Sequence, residues 1–172
     1  MHKMKNLLFA ISFILMNITA YSQNRNNTSV DQDGNIVGLY NINILESNKY
    51  SAWFSEGYNN YSANSSAIDM LLTLPKNTTF LVFGGVWCED TRKLVPQFCK
   101  VMDLAGIKRN RIQLYLLDKN KTSPAGLESQ YSIHCIPTFI IMRDGKEIGR
   151  IVESVGVSIE YDLVEVSGLT NP

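Results

Sequence analysis

The sequence has no surplus of charge of either sign and contains few residues that bind metals. Its 172 residues hold 16 Lys and Arg against 16 Asp and Glu, with three Cys and two His. Broad nucleic-acid binding requires an excess of Lys and Arg, so we expect no nucleic-acid partner. Soft metals need two or more well-placed thiolate or imidazole ligands, and no paired motif of that kind is present. We therefore predict neither a metal site nor a cofactor.

Long hydrophobic runs are also scarce, and the most prominent one lies near the amino terminus. Leu7–Met16 follows two lysines and is about ten residues long, which suits a signal peptide and falls short of a membrane span. Ala20 and Ser22 supply small residues before Gln23. We predict a signal peptide over 1–22, a periplasmic or secreted protein, and no stable membrane insertion after cleavage. Cleavage after Ala20 and an uncleaved anchor are the alternatives.

Three cysteines follow the predicted signal peptide, and their number is odd. They are Cys88, Cys99 and Cys135. Export implies an oxidising compartment in which thiols and disulfides interconvert. An odd count leaves at least one thiol free or paired between molecules.

The segment 23–75 is predicted to be an extension packed on the main domain. An Asp-Gly pair at Asp33 and Gly34 predicts a hairpin turn before Ile36–Leu39. Ile42, Ile44 and Leu45 suggest a short strand. Aromatic and aliphatic residues then recur at helical spacing from Tyr50 to Leu74, which predicts one helix with an aromatic stripe packed in the core.

Residues 76–172 alternate between strand and helix patterns and form the predicted main domain. This alternation predicts an α/β fold, with a mixed central sheet flanked by helices, a parallel central strand pair and an antiparallel hairpin at the edge. The predicted elements are a strand at Phe80–Gly85, a helix at Asp90–Leu104, a strand at Arg111–Leu117, a short helix from Pro124 to Gln130, a hairpin of Thr138–Met142 and Glu147–Val152, and a helix from Ser158 to Val166 with Ser158 as its N-cap.

Cys88 lies between a buried strand and a helix, which places its sulfur at a helix N-terminus. The unpaired N–H groups and the dipole there stabilise a thiolate. Thr91, three residues later, is predicted to donate a hydrogen bond to the sulfur. Glu89 and Asp90 oppose a second negative charge, and the basic residues 92 and 93 offset them in part. We expect a modestly activated nucleophilic thiol.

Several motifs in this region resemble those of the thioredoxin family. The stretch from Phe83 to Thr91 resembles the family's strand, Trp-Cys-x-x-Cys motif and helix entry, with Thr91 in place of the second cysteine. Pro96 stands where the family has its helix-kinking proline. Ile136-Pro137-Thr138-Phe139 resembles the cis-proline loop, and Asp144-Gly145-Lys146 resembles the hairpin turn. The resemblance covers roughly residues 78–167.

This resemblance implies a thioredoxin-like fold, with a substrate-binding surface formed by Trp87, Ile136, Pro137 and Thr138 beside Cys88. It also exposes two departures from the family. Thr91 replaces the resolving cysteine, whose thiolate attacks the mixed disulfide formed by the first. Val82 replaces a commonly buried acidic residue. Cys88 is therefore predicted to form mixed disulfides that it does not release by itself.

The other two cysteines have different predicted roles. Cys99 follows core Phe98 and is predicted to be a buried structural thiol. Cys135 lies two residues before Pro137 and leaves three readings open. It is a substitute resolving thiol, the site of a disulfide-linked dimer, or a loop residue of no special role; bridging Cys88 requires Cα atoms within about 7 Å.

Two functions are consistent with these residues. The first is thiol–disulfide exchange in the cell envelope by a single nucleophilic cysteine, in a monothiol or isomerase-like manner, with Cys88, Thr91 and Cys135 as catalytic candidates. Its partners would be protein thiols and disulfides or small thiols. The alternative is a redox-inactive thioredoxin-fold module that binds a partner peptide.

Overall fold

The fold is built on a six-stranded mixed sheet with the order β1-β2-β4-β3-β5-β6. The computed structural model describes residues 28–47 and 49–169; the predicted signal peptide 1–22 lies outside these residues. The strands are β1 Thr28–Val30, β2 Ile36–Asn41, β3 Thr78–Gly84, β4 Ile112–Leu116, β5 Thr138–Arg143 and β6 Lys146–Val152.

Five α-helices accompany these strands in the described part of the chain. They are α1 Ser51–Asn60, α2 Ser65–Leu71, α3 Glu89–Leu104, α4 Leu127–Gln130 and α5 Ile159–Val166. Two 3₁₀ turns, Ile42–Glu46 and Arg109–Arg111, complete the secondary structure. Within the described ranges, no helix combines the length and the apolar character that crossing a membrane requires.

The centre of the sheet confirms the predicted α/β class. β3 is apolar along almost its whole length because it is covered on both faces. It pairs in parallel with β4, where Phe80 lies opposite Ile112, and antiparallel with β5, where Phe80 lies opposite Ile141. The predicted parallel central pair and antiparallel edge hairpin are both present.

Both predicted hairpin turns are confirmed, and local side-chain chemistry accounts for each. In the β1–β2 turn, Asp31 Oδ1 accepts hydrogen bonds from the backbone N–H groups of Asp33 and Asn35, at 2.9 and 2.8 Å. In the β5–β6 turn, Asp144 and Gly145 adopt φ values of 52° and 73°. Asn, Asp and Gly tolerate this left-handed conformation, which matches the twist of the flanking strands.

The predicted short strand after β2 is wrong, because Ile42–Glu46 is a 3₁₀ turn. Asn41 caps it by accepting a hydrogen bond from the N–H of Asn43. Ile42 and Leu45 are fully buried. Residues three apart lie on one side of a 3₁₀ turn, so this spacing buries both side chains without a strand.

The predicted continuous helix from Tyr50 to Leu74 is also wrong, because it divides into α1 and α2. Tyr61 is extended, with φ −79° and ψ 129°. Asn64 then starts α2, and its side chain accepts a hydrogen bond from the N–H of Ala67. An Asn N-cap at this position stabilises a new helix start over continuation of the first helix.

Two further helices begin differently from their predictions. α4 starts at Leu127 rather than near Pro124, after Gly126 in a left-handed conformation with φ 64°. Ser158 precedes α5 as predicted but makes no side-chain capping bond. The carboxylate of Asp162 instead accepts hydrogen bonds from the N–H groups of Gly156 and Val157.

The two faces of the sheet are covered unequally. Helices α1, α2, α3 and α5 all contribute to one large core, whose largest side chains include Phe54, Phe80, Phe98 and Phe139. The opposite face carries a smaller cluster around Phe83 and Tyr115, against which the α4 region packs. The long helix α3, which begins next to Cys88, therefore lies on the thicker side.

The amino-terminal elements dock on this thicker side. Gly57 of α1 crosses α3 at Pro96, and a Cβ at Gly57 would lie 3.0 Å from Pro96 Cβ. Tyr61 Oη and the N–H of Asn64 both donate to the carboxylate of buried Glu160 in α5. The proposed boundary between an extension over 23–75 and a domain over 76–172 stays a prediction.

Candidate active site

Cys88 occupies the N-cap position of α3 and is half-buried. β3 ends at Gly84, and a tight turn follows in which the Cys88 N–H donates to Gly85 O at 2.9 Å. The carbonyl of Cys88 accepts the first helical bond, from Arg92 N–H at 3.0 Å. The sulfur thus lies at the start of a 16-residue helix, with one side open to solvent.

The loop from Cys135 to Thr138 lies against this sulfur. Cys88 Sγ is 3.7 Å from the carbonyl oxygen of Ile136, to which the thiol donates a weak hydrogen bond. The Ile136–Pro137 peptide bond is cis. Thr138 Oγ1 donates to Cys135 O at 2.7 Å and closes the loop from within. The sequence-predicted residues 136–138 are therefore buried behind the half-exposed thiol.

Trp87 forms the neighbouring wall of the site. Its indole Nε1 donates to Leu117 O at 3.0 Å, which fixes the ring against the end of β4. A Cβ at Gly85 would lie 2.7 Å from Trp87 Nε1 and 3.2 Å from Ile136 Cδ1. Only glycine leaves enough room at position 85 for the indole and the 136–137 loop to approach each other.

Thr91 does not have the contact predicted for it. Its side chain is fully buried, and Oγ1 accepts a hydrogen bond from the Gly85 N–H at 3.2 Å instead of donating to the sulfur of Cys88. Its methyl group leaves no room for a side chain at Gly84, since a Cβ there would lie 2.9 Å from Thr91 Cγ2. Thr91 joins the end of β3 to α3 and has a structural role.

Comparison with known proteins identifies the fold around this site. Residues 61–165 match the family model described as Thioredoxin, and this stretch is more than half of the chain. The chain belongs to the thioredoxin family. A solved structure of a Pseudomonas aeruginosa protein of unknown function shares the fold, with a TM-score of 0.50 and 15% identity over 71% of this chain and 76% of that one.

Curated members of the thioredoxin family are similar over part of their length. A protein disulfide-isomerase of Datisca glomerata is 26% identical over 115 residues, which are 60% of this chain and 22% of that protein. The chloroplastic thioredoxin Y of Oryza sativa subsp. japonica is 29% identical over 85 residues, which are 49% of this chain and 48% of that protein. The chain therefore spans less than two thirds of either relative.

At two positions this chain differs from the residues that the resemblance to the thioredoxin family implies. Thr91, at the position of the resolving cysteine, is bonded to the Gly85 amide as described above. Val82 is fully buried in β3 and is part of the main core. The chain therefore has neither a second thiol nor a carboxylate at the two positions where the resemblance implies them.

Cys135 and its neighbours form the outer edge of the loop. Cys135 is a half-buried free thiol, and the adjacent His134 is exposed. Lys121 Nζ donates to His134 O at 2.8 Å and ties this edge to the loop after β4. All three cysteines are free thiols in this structure.

Cys99 confirms the prediction of a buried structural thiol. It is completely buried in the main core, on the same helix as Cys88. Burial raises the pKa of the Cys99 thiol to about 12, with the carboxylates of Asp103 and Glu46 adding to the effect and Arg109 opposing it. At neutral pH this thiol is protonated and unreactive.

The loop that follows β6 was missed by sequence reasoning. The N–H of Glu153 donates to Pro137 O at 2.8 Å, so this loop borders the site. Val157 in the same loop is 77% exposed. No local sequence pattern predicts the contact between Glu153 and Pro137, because it joins residues that are distant in the sequence. In residues 28–47 and 49–169, no group of three His, Cys, Asp or Glu side chains is placed to hold a metal ion.

Proposed function

We propose that this protein catalyses thiol–disulfide exchange outside the cytoplasm with Cys88 as its single nucleophile. The observation that carries the proposal is the half-exposed sulfur at the start of α3, 3.7 Å from Ile136 O and beside Pro137. Membership of a family that includes proteins named thioredoxin and protein disulfide-isomerase supports it. The predicted signal peptide over 1–22 supports the compartment.

The reaction follows the chemistry of a monothiol. The Cys88 thiolate attacks one sulfur of a client disulfide, a bond forms between Cys88 and that sulfur, and the other client sulfur leaves as a thiolate. A second thiolate of the same client then attacks its own sulfur in the mixed disulfide. This step releases Cys88 as a thiolate and leaves the client with a rearranged disulfide, so no net electrons are transferred. Isomerisation therefore needs no resolving cysteine in the enzyme.

Substrate binding is proposed for the surface around the thiol. Trp87 and the 136–138 loop flank the sulfur, and the backbone of Ile136 and Pro137 would hold an extended client segment. The loop after β6 borders this surface at Glu153, whose N–H donates to Pro137 O. Thr91 acts by holding the end of β3 against α3 and makes no contact with the client.

The deciding experiment compares Cys88→Ser with Cys135→Ser in an assay that rearranges a scrambled disulfide protein. We expect Cys88→Ser to abolish both rearrangement and the mixed disulfides trapped by acid quenching. We expect Cys135→Ser to retain both, because Cys88 alone performs the chemistry. Retained rearrangement in Cys88→Ser would disprove the proposal, and loss of activity in Cys135→Ser would assign Cys135 the resolving role.

A binding function is the second candidate, and the replacement of both family groups by Thr91 and Val82 favours it. In that case the surface around Pro137 binds a client segment without turnover. Capture of a client by the Cys88→Ser variant, with affinity equal to that of the unmodified protein, would support it.

The proposed dimer through Cys135 is tested by oxidising the protein and comparing non-reducing electrophoresis of the unmodified chain with Cys135→Ser.

The compartment is tested separately. Amino-terminal sequencing of the protein from a cell-envelope fraction should begin at Gln23. A chain that retains residues 1–22 in the cytoplasmic fraction would contradict both the signal peptide and the localisation.

A further inference from the structure

Helix α1 divides the exposed side of α3 into two clefts. The two helices touch at Gly57 and Pro96, where a Cβ on Gly57 would be 3.0 Å from Pro96 Cβ. The cleft on the Cys88 side of this crossing has a volume of about 370 Å³. We call it the proximal cleft; the side chains used below are Trp53, Glu56 and Tyr61 from the α1 side and Arg92 and Lys93 from α3.

The charges of the proximal cleft lie on opposite walls. Glu56 is exposed on α1, and Arg92 and Lys93 are exposed on α3. Among the described residues, none of these three takes part in an ion pair within 4.0 Å. Arg92 uses only Nε, which donates to Val86 O at 2.7 Å. Its two terminal nitrogens remain as a pair of donors that suit a carboxylate.

The proximal cleft also has a wall that suits an organic ligand. Trp53 and Tyr61 are both half-buried and supply aromatic surface next to the charged groups. An acidic wall facing a basic wall across an aromatic surface fits a zwitterion, with its ammonium towards Glu56 and its carboxylates towards Arg92 and Lys93. A purely anionic ligand would be repelled by Glu56, and a purely cationic ligand by the two basic residues.

The cleft lies within reach of the reactive sulfur. Arg92 and Lys93 follow Cys88 by four and five residues, a rise of about 6 to 8 Å along the helix. A peptide of two or three residues spans at most about 7 to 11 Å. A thiol-bearing peptide of that size can therefore hold its charged end in the cleft while its sulfur meets Cys88.

We propose that the proximal cleft binds a di- or tripeptide thiol with free carboxylate and ammonium groups, which supplies the resolving thiol that Thr91 does not. This inference rests on the proposed exchange at Cys88 and adds a second outcome to it: the client disulfide is reduced when a peptide thiol, and not a second client thiol, resolves the mixed disulfide. The peptide thiolate attacks Cys88 Sγ in the mixed disulfide, and the client sulfur leaves as a thiolate. A second peptide thiolate attacks the peptide sulfur now bound to Cys88, which releases the Cys88 thiolate and a peptide disulfide. Two peptide thiols are oxidised, and one client disulfide is reduced.

The test uses the Cys135→Ser protein, in which Cys88 is the only thiol that is not buried. Cys88 is loaded with thionitrobenzoate, and release of the coloured thiolate is followed with reduced glutathione or 2-mercaptoethanol as the attacking thiol. We expect the rate to saturate with glutathione and to rise linearly with mercaptoethanol, which has no charged end group. S-methylglutathione, which has no thiol, should slow the glutathione reaction by competition.

Charge variants locate the binding site. Lys93→Glu should lower the glutathione rate below saturation by about fivefold, as expected for an exposed ion pair. Glu56→Gln should lower it by a smaller factor. Both variants should change the mercaptoethanol rate by a smaller factor than the glutathione rate, because mercaptoethanol makes no contact with the cleft and responds only to the charge near Cys88. Circular dichroism verifies that the variants are folded. The matched control is Lys108→Glu, an exposed lysine beyond the other end of α3, which should leave both rates unchanged.

The outcomes separate this inference from the proposed function. A release rate that rises linearly with the concentration of both thiols, or equal effects of Lys93→Glu on both rates, would disprove peptide binding in the proximal cleft. Either result would leave the proposed exchange at Cys88 intact. Failure of Cys88 to accept thionitrobenzoate, or to release it to either thiol, would overturn the proposed function itself.

Discussion

Helix α3 has one cysteine at its start and another towards its end, and the two thiols differ in exposure to solvent. At the first end, Cys88 is half-exposed and its sulfur has a single weak contact, with Ile136 O. Towards the other end, Cys99 is completely buried. Beyond it, Asp103 is bonded to Arg109 at 2.8 and 2.6 Å and to Tyr58 Oη at 2.8 Å.

The difference shows that residue type alone does not identify a reactive thiol. Cys99 lies within α3 and Cys88 is the N-cap of the same helix, and each directly follows an aromatic residue. Neighbouring elements decide the outcome: the main core covers Cys99 completely, whereas Cys88 packs only partly, against the 136–137 loop and the smaller cluster around Phe83. One end of the helix is structural, and the other retains an accessible nucleophile.

The largest expected difference between the two ends is in alkylation rate. In the native protein, Cys99 should react with iodoacetamide at least about a thousandfold more slowly than Cys88, because it reacts only in the small unfolded fraction. Mass spectrometry of peptides after timed quenching gives both rates. In strong denaturant the two rates should converge. Comparable rates in the native state would show that the core around Cys99 opens, and the comparison between the two ends would fail.

The next effect is on stability at the structural end. Asp103→Ala removes the acceptor for Arg109 and Tyr58 and leaves a partly buried guanidinium without its bidentate partner. We expect the free energy of unfolding in urea to fall by about 1.5 kcal/mol, less than for a buried pair because Asp103 is exposed to solvent. The matched control, Asp69→Ala on the exposed side of α2, should change it by less than about 0.5 kcal/mol.

The same pair predicts a pH dependence. Although burial opposes it, the hydrogen bonds from Arg109 and Tyr58 lower the pKa of Asp103 below its ordinary value of 3.8. The folded state thus binds this proton less readily than the unfolded state, so the stabilisation is complete above pH 3.8 and is lost as the pH falls below it. The stability difference between the unmodified protein and Asp103→Ala should shrink in that acidic range. A difference that does not depend on pH would contradict the role of the ionised carboxylate.

The smallest effect is expected at the reactive end. Thr91→Val removes the acceptor of the buried Gly85 N–H and should cost about 1 kcal/mol in the free energy of unfolding. The alkylation rate of Cys88 should nevertheless stay within about twofold, because the hydroxyl bonds to the Gly85 amide and not to the sulfur. A several-fold fall in the alkylation rate of Cys88 would instead show that the Thr91 hydroxyl stabilises the Cys88 thiolate, as the sequence predicted. Thr79→Val in β3 is the control for stability, because Thr79 is exposed and its hydroxyl makes no hydrogen bond to another described residue.

The sequence predicts those parts of the fold that local chemistry determines. The apolar run of β3 and the two Asp-Gly turns are each determined by residues within the element itself, and all three are present in the structure. The helix break at Tyr61 was missed because the apolar spacing continues across it, while the Asn64 cap that causes it is one polar residue among many.

The candidate site was predictable in position but not in detail. The order of strand, cysteine and helix places Cys88, and the Ile-Pro pair places the facing loop. The partner of the Thr91 hydroxyl depends on how closely the end of β3 approaches α3, which no local pattern specifies. The bond between Glu153 and Pro137 joins residues distant in the sequence and was missed for the same reason.

That last bond provides a natural reporter for the site. The Glu153 amide is protected from solvent exchange only while its hydrogen is held by Pro137 O, and the bond breaks whenever the two loops separate. The exchange rate of one backbone hydrogen therefore measures how often the rim beside Cys88 opens. A client that bridges the two loops would slow the exchange of that hydrogen without touching it.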